Sequence, residues 1–359
     1  MDSIIRTAII GCGKVAHLHA KALKQIQECQ LVAVQSRNPL RAQNFAAQYG
    51  VKAYEKVDEM IRKEKIDAVI ICTPHPEHRN PAITAMEAGA HVLVEKPLAI
   101  TLDDCDAMMD TAARHKKILS VISQRRFLHP SQRMKSAIMD GKIARPALAT
   151  VLMLGWRDEA YYKSDPWRGT WEKEGGGVLV NQAPHQLDLV QWFMNDEMEE
   201  LYAVTENINH PYIEVEDTAV AILKFKNGGI ANILVSNSQK PGIYARVHVH
   251  GSNGASVGVQ TDGGAMFIAG VPSVLKPPKN DIWTIPGEES MPAQWEKEDS
   301  EFFKAIDPIG YYLKIQDRDF IMAILEDREP LVPATEGRKI VALFNAIYES
   351  SKTKKPVRF

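Results

Sequence analysis

Short apolar blocks alternating with helical patterns through the first third of the chain constrain its fold more than any other feature. Residues 7–10, 31–35, 68–71, 91–94 and 118–122 are nearly unbroken apolar runs, as strands buried on both faces of a parallel sheet require. Helical periodicity fills the gaps at 15–27, 39–49, 57–63, 79–88 and 102–116. Gly50 and Gly89 fall where helix C-caps belong, and Thr101 stands where an N-cap should. The alternation predicts an α/β Rossmann domain, with a doubly wound parallel sheet, over residues 1–122.

Beyond residue 122 the pattern changes. Residues 218–225 and 230–236 flank Asn227-Gly228-Gly229, a hairpin signal. Residues 245–250 alternate Ala, Val, Val with Arg, His, His, as a half-exposed strand does. Strands without intervening helices predict an α+β domain over 123–359 built on a large, mainly antiparallel open sheet. Residues 263–292, rich in Gly and Pro, read as an irregular excursion, and helices return at 302–305, 311–325 and 335–352.

The 359 residues fit two domains. Forty-three basic and 45 acidic side chains nearly cancel, with no basic stripe, so nothing points to nucleic acid or an anionic membrane. The apolar runs are too short to span a bilayer, and Arg6 breaks the N-terminal run before it can serve as a signal peptide. Cys12, Cys29, Cys72 and Cys105 form no C-x-x-C pair, which fits reduced thiols in the cytoplasm.

Gly11-Cys12-Gly13-Lys14-Val15-Ala16 matches G-x-G-x-x-A directly after the first strand. The first glycine permits the turn, the second admits a pyrophosphate, and Ala16 lets the helix pack closely while its N-terminus faces the phosphates. At the tip of the second strand, Gln35-Ser36-Arg37-Asn38 lacks the acid that favours NAD. Ser36 and Arg37 suit a 2′-phosphate, so the reading leans to NADP(H) and leaves NAD(H) open. Thr73-Pro74-His75 forms a wall beside the cofactor. Glu95-Lys96-Pro97 ends a further strand at the same ligand-facing edge, where Lys96 meets whatever the turn holds and handles a proton. His75 and His78 lack metal-ligand partners at suitable spacing, and His17 and His19 point different ways along one helix. No catalytic metal is expected.

Residues 175–188, GGGVLVNQAPHQLD, form the second dense motif. Three glycines let backbone approach another segment or a ligand. Pro184 suits a first helical turn with Asn181 or Gln182 near its cap, and His185 and Asp188 then share a face. A helix start whose histidine caps or packs is the plainer reading of a lone His.

Taken in order, the glycine turn with His19 after it, Thr73-Pro74, Ala88-Gly89, Glu95-Lys96-Pro97, Gln124-Arg125-Arg126-Phe127, Trp167-Arg168 and the glycine triplet through His185 and Asp188 resemble the Gfo/Idh/MocA family of sugar and polyol oxidoreductases. The resemblance covers essentially the whole chain. It implies that Lys96 is the catalytic lysine, that Lys96-Pro97 is cis, that His185 is an acid/base or orienting residue, and that the second-domain sheet supports a homo-oligomer. It also implies a cofactor site completed by His78, Glu95, Gln124, Trp167 and Arg168. A small-molecule sugar or glycoside would be held by Lys96, Arg125, Tyr162, Trp167, Asn181 and His185.

The family's usual aspartate is replaced by Asn181, which binds a hydroxyl but takes no proton; Lys96 and His185 then share that task. The motif is similar to those of enzymes that oxidise glucosides at C3. Two other readings stay open, an NAD-dependent glycosidase acting through transient C3 oxidation and a non-catalytic dinucleotide-binding regulator.

Overall fold

The computed structural model describes residues 4–240, 242, 244–262 and 276–359. Its contacts divide the chain into two units, residues 1–124 with 309–341 and residues 125–308 with 342–359.

The first unit holds a six-stranded sheet in the order β3-β2-β1-β4-β5-β6. Its strands are β1 Ile5–Ile10, β2 Cys29–Gln35, β3 Lys52–Tyr54, β4 Ala68–Ile71, β5 His91–Val94 and β6 Leu119–Val121. Every pairing is parallel. β4 is buried along its whole length and β5 at all but its first residue, which is why these strands read as continuous apolar runs. β3 escapes that signal because its three residues lie exposed or half-exposed at the sheet edge.

Helices α1 Lys14–Leu23, α2 Pro39–Tyr49, α3 Val57–Glu64, α4 Arg79–Glu87 and α5 Leu102–His115 supply the crossovers. Gly50 ends α2 at φ 68, Gly89 follows α4 at φ 105, and Thr101 Oγ1 accepts the Asp104 N–H at 3.1 Å. The strand order reverses between β1 and β4, where a doubly wound sheet opens a ligand crevice at its carboxyl ends. Leu313, Phe320 and Ile321, from the helix Pro308–Leu325, share a core with Ile9, Leu23, Phe45 and Ile70.

The second unit holds a seven-stranded sheet in the order β12-β11-β7-β10-β9-β8-β13. The strands are β7 Pro146–Leu154, β8 Met198–Glu206, β9 Thr218–Phe225, β10 Ile230–Ser236, β11 Tyr244–Gly251, β12 Ser256–Asp262 and β13 Val357–Arg358. The Asn227-Gly228-Gly229 turn joins β9 to β10 as an antiparallel pair. β10 runs parallel to β7, so the sheet is mixed though mainly antiparallel. Ala245, Val247 and Val249 of β11 are buried while Arg246, His248 and His250 stand half-exposed.

β7 gives no clean alternation in the sequence because its outward positions, Leu148, Leu152 and Leu154, are also apolar. The helix anticipated at 302–305 runs from Met291 to Ala305, with Pro292 in its first turn. The irregular excursion therefore ends sooner than the Gly and Pro content implies. Residues 263–275 of that stretch lie outside the described residues, and Lys279 and Trp283 bridge to β12. Among the described residues no helix is long and apolar enough to cross a membrane.

Candidate active site

At the end of β1, Gly11 donates its N–H to Gln35 O at 2.8 Å and takes φ +98. A Cβ there would stand 2.8 Å from the Cys72 carbonyl oxygen, so only glycine fits. Gly13 is exposed and serves as N-cap of α1. That helix has no capping side chain and no acid in its first turn, so no side chain there competes with an anion or repels it. Ala16 is fully buried, Val15 is half-buried and Lys14 is exposed. Burial pushes the half-buried Cys12 thiol up, against a hydrogen bond with Ser36. These residues fit the pyrophosphate of a dinucleotide.

The tip of β2 is locally ordered. Asn38 Oδ1 accepts the Arg41 N–H at 3.1 Å and caps α2, while Ser36 Oγ accepts the Asn38 N–H at 3.2 Å. Arg37 is exposed, and its guanidinium lies 3.1 Å from the Glu77 carboxylate. The base at this tip thus has an acid beside it.

Two further turns lie on the same carboxyl edge. After β4, Thr73 Oγ1 donates to Glu77 O at 3.2 Å, Pro74 is half-buried and His75 is buried. His78 is buried with Nδ1 2.9 Å from Pro97 O and Nε2 2.9 Å from Thr73 O. Its side chain is therefore engaged by backbone and ties the Thr73 turn to the one after β5. Burial holds its pKa below the ordinary histidine value. Lys96 is half-buried, and its bond to Pro97 is cis. Gln124, just past β6, is half-buried with its Oε1 enclosed.

Behind Lys96 runs a buried chain of charges. Glu95 Oε2 accepts the Lys96 N–H at 3.0 Å, Glu95 Oε1 lies 3.1 Å from His19 Nε2, and His19 Nδ1 lies 2.9 Å from Asp317 Oδ2. Burial disfavours the His19 cation, but the carboxylates of Asp317 and Glu95 outweigh it and lift the pKa to about 10. The two carboxylates favour the imidazolium form of His19, which bridges Asp317 to Glu95 and fixes Glu95 under the lysine. The sequence marks His19 only as a helix residue that follows the glycine turn in the ordered motif set, and nothing local marks Asp317.

In the second unit the glycine triplet accommodates other protein segments. A Cβ on Gly177 would collide with the Glu216 carbonyl oxygen, and one on Gly176 with the Tyr348 hydroxyl. The Glu216 carboxylate accepts N–H groups of Gly177 and Leu179 at 3.0 Å each and the Tyr348 hydroxyl at 2.9 Å. Burial still raises it to about 7 against those donors.

The short helix Val178–Asn181 ends at Asn181. The next helix, Pro184–Met194, starts from Ala183 without a side-chain cap, so neither Asn181 nor Gln182 caps it. Asn181 Nδ2 instead donates to Glu174 Oε1 at 2.5 Å and Tyr161 Oη at 3.2 Å. A carboxylate is therefore bound to Asn181 itself. Glu174, directly before the glycines, was open to discovery by position.

His185 stands half-buried on the first turn. Asp188, three residues on, is held bidentate by buried Arg126 at 2.7 and 2.8 Å, so the pair is structural. Arg125 donates to Thr261 Oγ1 at 2.9 Å. Tyr162 is buried against Tyr161 and His210, and Arg168 stacks on Trp167 with its guanidinium 4.4 Å from the ring centre. Among the described residues, no three His, Cys, Asp or Glu side chains gather as metal ligands.

Comparison with known proteins gives a consistent picture. The profile of the GFO_IDH_MocA oxidoreductase family, NAD-binding Rossmann fold, matches residues 5–123, and that of the GFO/IDH/MocA C-terminal domain matches 131–257. The chain is 31% identical to myo-inositol 2-dehydrogenase of Thermotoga maritima over 256 residues, 70% of this chain and 74% of that one. It is 30% identical to glucose-6-phosphate 3-dehydrogenase of Bacillus subtilis over 66% of this chain and 69% of that one. The WlbA dehydrogenase of Bordetella pertussis, solved with NADH and UDP-GlcNAcA, superposes with a TM-score of 0.87 at 28% identity, covering 100% of this chain and 99% of that one.

Proposed function

The chain belongs to the GFO/IDH/MocA oxidoreductase family, and on that premise we propose that it moves a hydride between a nicotinamide dinucleotide and a secondary alcohol or ketone of a sugar or glycoside. The observation that carries this reading is Lys96, at the end of β5 on the edge that also bears the glycine turn, with its backbone N–H held by an anchored Glu95. A cofactor bound at the turn supplies the acceptor or donor for the hydride.

Lys96 takes the proton of the alcohol during oxidation and polarises the ketone during reduction. His185 shares the proton. Asn181 orients a substrate hydroxyl, its amide fixed by Glu174 and Tyr161. Residues 1–122 hold the cofactor, with 309–341 completing the core of that unit, and the rest of 123–359 holds the sugar and forms a homo-oligomer. Support for oligomerisation is the apolar outer face of the large sheet, where Tyr202, Val204, Val220, Ile222 and Ile230 are exposed. Oxidation at C3 of a glucoside is the proposed position; the Bacillus relative is a 3-dehydrogenase by name. The four unpaired cysteines suit work in the cytoplasm.

Both NAD(H) and NADP(H) fit the acid-free tip of β2. Ser36 and Arg37 favour the phosphorylated form, whereas Glu77 beside Arg37 opposes it, and the WlbA neighbour holds NADH. The deciding experiment incubates purified protein with each cofactor and a panel of inositols, glucosides and their 3-keto forms. Reduced-nicotinamide absorbance is followed and products are mapped by NMR. Turnover that disappears in Lys96→Ala while the dinucleotide still binds supports the assignment. Undiminished turnover in that variant overturns it.

A further inference from the structure

Three cations in the second unit lie against aromatic rings near Asn181. The Arg157 guanidinium carbon is 5.2 Å from the centre of the Tyr161 ring, and that of Arg168 is 4.2 Å from the same ring. The Lys240 ammonium is 5.6 Å from the centre of the Trp156 ring. Tyr161 joins the cluster to the candidate substrate site, since its hydroxyl receives Asn181 Nδ2 at 3.2 Å and Gln182 Nε2 at 2.8 Å.

The charges are unevenly matched. Arg168 has Asp165 at 3.3 Å, and Glu174 accepts hydrogen bonds from Asn181 and the Gly169 N–H. Among the described residues neither Arg157 nor Lys240 pairs with a carboxylate. Arg157 is only 4% exposed. One of its terminal nitrogens donates to Trp156 O at 2.8 Å, but its Nε is enclosed with no hydrogen-bond partner. The Tyr162 hydroxyl and Asn237 Oδ1 are likewise enclosed, with the Asn237 side chain beside the phenol, and Asn237 Nδ2 donates to Gln182 Oε1 at 2.8 Å. A buried guanidinium is ordinarily matched by an anion. Here the matching anion is absent from the chain's described residues, while the unused Arg157 Nε lies one ring away from Asn181.

We propose that Arg157, supported by Arg168 and Lys240 on the faces of Tyr161 and Trp156, anchors an anionic substituent of the sugar, either a carboxylate or a phosphate. Guanidinium suits both through paired N–H groups. The rings supply the apolar surface on which the sugar rests. This deepens the sugar reading above and rests on it.

The test compares methyl β-D-glucopyranoside with methyl β-D-glucuronide, which carries a carboxylate, and glucose 6-phosphate, which carries a phosphate. Values of kcat/KM are measured for wild type, Arg157→Met and Lys240→Ala. Calorimetric titration of the same three compounds accompanies them. One of the two anionic compounds should exceed the neutral glucoside by about 10- to 100-fold, the scale of a hydrogen bond to a charged group. The better one identifies the source of the charge. In Arg157→Met that ratio should fall toward one, and raised salt should lower it in wild type.

Because Arg157 is buried, the exposed Lys240→Ala variant provides an arm that does not depend on core packing, and a several-fold fall in the ratio is expected there. A neutral glucoside that equals or exceeds both anions in wild type overturns the anionic subsite and leaves the dehydrogenase reading standing. If no compound turns over with either cofactor, the dehydrogenase reading fails and calorimetry decides the subsite. Anion binding weakened in Lys240→Ala then sustains it, and absent or unchanged anion binding overturns it.

Discussion

Asp317 and His19 are 298 positions apart in the chain and 2.9 Å apart in the fold. Together with Glu95 they bury a positive charge between two negative ones directly behind the proposed catalytic lysine. Removing one partner leaves the others mismatched, which for buried pairs costs about 3–5 kcal/mol. Asp317→Asn should therefore unfold at markedly lower urea concentration than wild type. In any folded fraction, kcat should fall more than the Michaelis constant for sugar rises, because Glu95 is no longer held. His19 has its pKa raised to about 10 from 6.5. Its contribution is accordingly complete below pH 6.5 and lost as pH rises through 10. Wild-type stability should decline over that window more steeply than that of Asp317→Asn. Equal slopes would show that the imidazolium does not stabilise the fold.

Lys96→Met should lower kcat by about 10²–10⁴-fold, the range for loss of a general acid–base group, with dinucleotide affinity by fluorescence titration little changed. His185→Gln should lower it by about 10²-fold. If the two share one proton path, the double variant will lose far less than the product of the single losses. A strictly multiplicative loss would place them in separate steps.

Glu216 offers a pH test in the second unit. Its folded pKa of about 7 exceeds the ordinary 4.5, so the folded state binds the proton more tightly. That contribution is complete below pH 4.5 and disappears as pH rises through 7, a change of about 3 kcal/mol at most. Thermal melts between pH 5 and 8 should show wild type losing stability relative to Glu216→Gln. Parallel curves for the two proteins would mean that the carboxylate ionises normally among its three donors.

Glu77→Gln removes the acid beside Arg37 at the tip of β2. Kinetics with both cofactors should show kcat/KM for NADP(H) relative to NAD(H) rising about two- to fivefold, the scale of one exposed ion pair. An unchanged ratio would place Arg37 away from the adenosine ribose.

The first sheet was legible because strands buried on both faces leave continuous apolar runs, as β4 and β5 do. β3 and β7 were hidden for opposite reasons: one is a polar edge, and the other is apolar on both faces. Lys96 was visible from its place at the end of an apolar run, and the glycine turn from its position after the first strand, where Gly11 takes a left-handed φ. Asp317 and Arg157 were not. What makes each notable is a partner, or the lack of one, far away in sequence, and no local periodicity encodes that. The glycine triplet announced a close approach, but only the fold named Glu216 and Tyr348 as what approaches.

Residues 309–341 complete the nucleotide-side unit from the far end of the chain, and this has a practical result. A fragment ending at Gln124 would lack Leu313, Phe320 and Ile321 from its interior and the counter-ion of His19. The Rossmann half cannot be excised with a single cut. Any attempt to graft or shuffle it must carry the distant helical segment along.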